Sequence, residues 1–133
     1  MPVAELERTF RFRARHHYRR ADLSEERGRE IFRETADPHE HDYSLTVTVG
    51  GELDRHGFVV DLVRLDQAVH EVIGPLEDGD LNRLVFADGV VQPSTEALAR
   101  WFWESLAGRV PKPAQLTRVR VAEGHELAAV WSE

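Results

Sequence analysis

Cysteine is absent from these 133 residues, which excludes disulfides, thiolate metal ligands and cysteine nucleophiles alike. Long apolar runs are missing too: no stretch approaches the ~20 residues that a helix needs to cross a bilayer. The N-terminal stretch MPVAELERTF lacks the basic-then-apolar layout of a signal peptide, so a cytoplasmic location is expected. Basic blocks are lacking as well. The formal net charge is -7 with both signs interspersed, and neither nucleic acid nor membrane is expected as a partner. Lysine occurs once, at Lys112, and the other basic residues are arginine. What is present is a 41% hydrophobic content, enough for a core, with no repeat, linker or low-complexity segment to divide it. Residues 1–133 therefore read as one domain.

Hydrophobic alternation gives the first element, a strand over residues 3–18 with Phe10, Phe12, Ala14 and His16 on one face. The charged stretch that follows carries no strand pattern, and one or two helical turns are expected over 24–32 before Pro38 closes it. Alternation resumes from His39 through Tyr43, Leu45, Val47 and Val49 to Gly50-Gly51, and residues 58–60 after the next turn suggest a hairpin partner. Asp61 suits the cap of a helix with Leu62, Leu65, Val69 and Val72 on one side, and Ser94 suits the cap of a second that ends near Gly108. Strands over 116–122 and 126–131 finish the chain. The expected fold is α+β: a four-stranded antiparallel sheet with two helices on one face, in the order ββααββ.

Within this frame the segment PHEHDY stands out. A strand sends residues i and i+2 to the same side, so His39 and His41 can aim at one ion while Glu40 points away. His16, from the neighbouring strand, would complete a set of three imidazoles. Three neutral nitrogens with an open fourth position suit catalytic zinc, although the same pair also suits surface histidines on a strand.

Six segments in order resemble the family of 6-pyruvoyl-tetrahydropterin and 6-carboxy-tetrahydropterin synthases. FRFRARH is similar to the strand that carries the family's first zinc histidine. LSEERGREIFRETADPHEHDY is similar to its long loop and paired zinc histidines, and GFVVDLVRL to its GMVMDF segment. LEDGDLN corresponds to LDHxxLN, QPSTEALARWFWESL to the PTxEN helix, and VRVAEGHELAAVW to the last hairpin. The resemblance implies the tunnelling fold, Zn2+ held by His16, His39 and His41, and a pterin-like substrate. It places the pterin-holding carboxylate at Glu123 and a neighbouring enclosure at Ser94, Thr95 and Glu96, which also read as an ordinary helix N-terminus. A carboxylate suits that task because it accepts two parallel N–H bonds from a 2-amino-pyrimidinone edge. The resemblance also implies a homo-oligomer, with three subunits closing a barrel and two such rings forming a hexamer.

Departures from the family pattern matter equally. The family's proton-abstracting cysteine falls on Thr35, and its aspartate-histidine pair falls on Glu77 and Asp78. A threonine hydroxyl does not replace a thiolate as a base at pH 7 without strong activation. Glu34, beside the vacant position, is the expected base, as in family members that use a nearby glutamate; Glu77 and Asp78 are its expected partners, with Asp80 close by. The implied function is a zinc-dependent lyase or synthase of the 6-pyruvoyl-tetrahydropterin type. It would act on 7,8-dihydroneopterin triphosphate or a relative by proton abstraction next to a zinc-bound oxygen. Arg15, Arg19 and Arg20 are candidates to clamp the phosphates, and His125 to serve as an acid. Two other readings stand beside it: a zinc enzyme acting on another heterocycle, and a non-catalytic zinc- or pterin-binding paralogue.

Overall fold

Alternation of apolar and polar side chains along two long strands sets the architecture, and the computed structural model describes residues 3–133. Strand β1 (Ala4–His16) and strand β2 (His39–Gly51) pair antiparallel over their whole length, from Ala4 opposite Gly51 to His16 opposite His39. Between them lies helix α1 (Glu25–Phe32), capped by the Ser24 hydroxyl, which accepts the Arg27 N–H at 3.0 Å. Helix α2 (Leu62–Ile73), strand β3 (Gly79–Asp80), helix α3 (Leu81–Leu84) and helix α4 (Thr95–Leu106) follow, then strands β4 (Gln115–Glu123) and β5 (Leu127–Ser132). Asp61 and Ser94 cap α2 and α4 through their side chains, which satisfies N–H groups that a helix start leaves free.

Sheet order is β3-β1-β2-β4-β5. One face carries Phe10, Phe12, Ala14, Tyr43, Leu45, Val47, Val49, Val119 and Val121; α2 lays Leu65, Val69 and Val72 on it and α4 lays Leu98, Phe102 and Leu106. These side chains form one continuous core, and each fully buried Leu or Phe contributes on the order of 2 kcal/mol by leaving water. Arg8 forks onto Asp66 at 3.1 and 2.8 Å and ties α2 to β1. The opposite face is polar, with Thr9 and Thr46 hydroxyls 2.9 Å apart and Arg13 on Asp42 at 3.0 Å. An α+β sheet with both long helices on one face is thus present.

Three local expectations are corrected. The sheet has a fifth strand, two residues long and parallel to β1. Asp78 adopts φ 57 and donates its N–H to the Arg13 carbonyl at 2.7 Å, which turns the chain back alongside β1. Gly79 suits the close approach there, since a Cβ would stand 2.5 Å from Leu84 Cδ1, which would have to move, and 3.1 Å from the Leu76 carbonyl oxygen. Residues 58–60 form no hairpin with β2. Asp54 instead accepts the N–H groups of His56 and Phe58 at 2.9 and 3.0 Å, and Gly57 at φ 93 closes the loop with Phe58 63% exposed. Finally β1 stops at His16, before Tyr18, because the Asn82 side chain takes both the N–H and the carbonyl of His17 at 2.9 Å.

Candidate metal centre

Strand parity delivers His16, His39 and His41 to the helix-covered face at one end of the sheet. His16 sits opposite His39, and the small Ala14 sits opposite His41, leaving room for its ring. Ring centroids are 4.6, 4.9 and 4.9 Å apart and the planes are steeply inclined to one another, so the three imidazoles surround a common point. One ligating atom from each lies within 4.8 Å of the others. His16 is 1% exposed; His39 and His41 are half-buried.

Hydrogen bonds fix which nitrogen is offered. A carbonyl only accepts, so His16 Nδ1, 2.8 Å from the Pro93 carbonyl, carries the proton and leaves Nε2 its lone pair. His39 Nδ1 makes the same contact with the Asp37 carbonyl at 2.8 Å. Tyr43 Oη stands 3.3 Å from His16 Nδ1 and shares that proton. Burial pushes His16 down to about 4, outweighing the raising effects of the Pro93 carbonyl and Glu123, and the other two histidines push it the same way. Burial also lowers His41, against the pull of Glu123. The His16 and His41 rings are therefore neutral at pH 7, the form that binds metal. Both His16 Nε2 and His41 Nε2 are buried without a hydrogen-bond partner, a costly arrangement that a divalent cation would resolve. The donor set fits zinc.

Glu123, at the end of β4 and opposite Tyr43, reaches the same point. Its Oε1 lies 2.6 Å from His41 Nε2 and 3.6 Å from His16 Nε2, in neither case aligned as a hydrogen bond, and its Oε2 accepts the Thr95 hydroxyl. Thr95 is buried, whereas Ser94 spends its hydroxyl on the Ala97 N–H and Glu96 is exposed. The structure thus brings His16, His39, His41, Glu123 and Thr95 together.

Carboxylates expected to act in catalysis lie farther out. Glu34 is exposed in a 3-10 turn over Arg33–Ala36, and among the described residues its side chain makes no hydrogen bond or ion pair. That turn is tied to the segment after His16 by the Tyr18 N–H on the Thr35 carbonyl at 2.9 Å. Glu77 accepts the Arg13 N–H at 3.2 Å. With Asp78, His41, Asp42 and His125 it lines a hollow of about 1050 Å³. Neither Glu77 nor Asp78 bonds to the histidines. Of the arginines, Arg20 forks onto Asp22 and Arg15 donates to the Asp78 carbonyl at 3.0 Å.

Two site residues escaped the sequence reading. Tyr18 lies 5.2 Å from the His16 ring and Tyr43 5.7 Å from His41, centroid to centroid. Burial raises both phenols, with Glu123 adding to the shift, so both stay protonated. Each stands two positions beyond a candidate ligand, and that spacing was the available signal.

Comparison with known proteins decides the family. The family model described as 6-pyruvoyl tetrahydropterin synthase matches residues 5–133. This chain belongs to the 6-pyruvoyl tetrahydropterin synthase family. A 6-pyruvoyl tetrahydrobiopterin synthase of Homo sapiens is 34% identical over 134 residues, covering 96% of this chain and 90% of the human one. A dihydroneopterin monophosphate aldolase of Pyrococcus furiosus is 33% identical over 89 residues, 67% of this chain and 73% of its own length. The solved 6-pyruvoyl tetrahydropterin synthase of Caenorhabditis elegans superposes with a TM-score of 0.90 at 25% identity, covering 100% of this chain and 97% of that one. The tunnelling fold of the synthase family is therefore the fold of this chain. Among the described residues no helix is long and apolar enough to cross a membrane.

Proposed function

We propose that this synthase-family protein is a zinc-dependent lyase acting on the side chain of a dihydropterin phosphate, 7,8-dihydroneopterin triphosphate or a relative. The observation that carries the reading is the pair of buried, unpartnered nitrogens on His16 and His41 beside Glu123. The relatives' names, a synthase of a pyruvoyl pterin and an aldolase of a dihydroneopterin phosphate, support a pterin side chain as the place of reaction.

His16, His39 and His41 would hold the ion. When bound, zinc supplies Lewis acidity that polarises a side-chain oxygen and acidifies the adjacent C–H. Glu123 accepts the paired N–H groups of the pterin edge and sets the side chain's position. Glu34 takes the proton in place of the family's cysteine, with Glu77 and Asp78 as its acid partners; Ser94 and Glu96 flank the enclosure. Carboxylates in these roles act at the pH of the cytoplasm, where we place the protein. We further propose a single domain that assembles as a homo-oligomer, a barrel-forming trimer paired into a hexamer. The free edge strand β5, with Leu127, Val130 and Trp131 exposed, supports ring closure.

The test is elemental analysis of the purified protein, then incubation with 7,8-dihydroneopterin triphosphate and monophosphate followed by mass spectrometry. Stoichiometric zinc and a new pterin product are expected. Stoichiometric zinc with both pterins returned intact would reject the lyase reading in favour of another heterocycle or a binding role.

A further inference from the structure

Glu123 stands where a fourth metal donor would stand. Donors at zinc distances of ~2.0–2.2 Å around one tetrahedral ion are separated from each other by roughly 3.4 Å. Glu123 Oε1 is 3.6 Å from His16 Nε2 and 2.6 Å from His41 Nε2, close to that edge on one side and inside it on the other. Neither approach is a hydrogen bond. A carboxylate oxygen packed beside two buried ring nitrogens, with a hydrogen bond to neither, is a costly arrangement unless a cation lies among them. The His16 proton is already committed to the Pro93 carbonyl, so it does not serve.

The second carboxylate oxygen decides the orientation. Oε2 accepts the hydroxyl of buried Thr95, at the first turn of α4, and the Glu123 side chain is only 7% exposed. Oε1 is thereby held toward the imidazoles, with little access to water that would compete for it. Both oxygens are engaged, so a ligand with two parallel N–H groups obtains them only by drawing the carboxylate off these partners.

We propose that Glu123 closes the fourth coordination position of the metal and gives it up when the N–H pair of a 2-amino-pyrimidinone edge takes the carboxylate. This rests on the proposed function only for the identity of the ligand. The closed position shields the ion from adventitious anions; the recognised heterocycle opens it. Glu123 is then a shutter between the metal and the binding pocket, and Thr95 is the positioning residue that holds it shut.

Cobalt(II) replaces zinc in the test, because its visible absorption reports coordination, and azide probes the open position. In the wild-type protein, azide is expected to bind at least about tenfold more tightly once a saturating pterin without a C6 side chain is present, with a change in the cobalt spectrum. Glu123→Gln should weaken cobalt binding about 10- to 100-fold, the scale of losses when a metal's supporting groups are removed. It should also bind azide equally with and without pterin. Thr95→Val should shift azide affinity the same way by a smaller factor. A cobalt affinity and spectrum in Glu123→Gln equal to wild type would overturn the fourth-donor assignment. Azide affinity in wild type that ignores pterin would overturn the release step. Should pterin leave the wild-type spectrum unchanged while Glu123→Gln still loses metal, the pterin reading and the release step fall and the fourth donor stands. The wild-type arm needs no variant to fold.

Discussion

Acidification of the metal-free protein tests the electrostatics of the histidine cluster directly. His16 is 1% exposed, and burial, helped by its histidine neighbours, holds it at about 4, against 6.5 for the free side chain. The folded value lies below the unfolded one, so the unfolded chain binds the proton first. Stability is therefore full above pH ~6.5 and is lost as pH falls toward about 4, where the native ring also protonates. A gap of that size corresponds to about 3 kcal/mol, at ~1.36 kcal/mol for each tenfold step in acidity. Urea unfolding of EDTA-treated protein at intervals between pH 7 and pH 4 measures the loss. The comparison is with His16→Gln, which can still donate to the Pro93 carbonyl but does not titrate in this range. The wild type should lose about 3 kcal/mol more than the variant over that interval. Equal losses in the two proteins, or an NMR titration of the His16 ring in metal-free wild type centred near 6.5, would refute the argument.

Other expectations follow from the same geometry. Glu34→Gln should lower turnover by about 10²- to 10⁴-fold, the usual contribution of a general base, and leave pterin affinity nearly unchanged in a fluorescence titration. Chelation should abolish product formation and added zinc should restore it in a stopped-time assay; activity that survives complete metal removal would contradict the proposed role of the three histidines. Phe102, fully buried between α4 and the sheet, should cost about 3–5 kcal/mol when replaced by alanine, measured by urea unfolding. Light scattering should return several times the single-chain mass of 15.2 kDa; one chain's mass would contradict the ring.

Period-two patterning made most of this fold legible. Phe10, Phe12, Ala14 and His16 on β1, and His39, His41, Tyr43 and Leu45 on β2, fall on the face their alternation indicates. The caps at Asp61 and Ser94 follow from side-chain chemistry that acts locally, so they too were readable. Strand β3 was not, because two residues carry no period and its position depends on a left-handed aspartate. The apolar run at 58–60 misled because a carboxylate four residues earlier, on Asp54, takes the Phe58 N–H that strand pairing would have used. In the site, parity alone brought the histidines together, whereas Glu123 was legible only through family resemblance, since it meets them across a pairing with Tyr43 far along the chain. The tautomer of His16 depends on a backbone carbonyl at Pro93, and backbone acceptors leave no mark in side-chain identity.

The pairing of β1 with β2 has no tight turn to set it. Residues 17–38 intervene, and the last rung is His16 against His39. Slipping the two strands by a single residue would turn His39 and His41 to the opposite side of the sheet and dismantle the trio. The native alignment of these strands brings three imidazoles to one point, so an ion held there would favour it over pairings one residue out of step. A chain paired one residue out of step would present no such trio, and a bound ion would resist sliding from the native register.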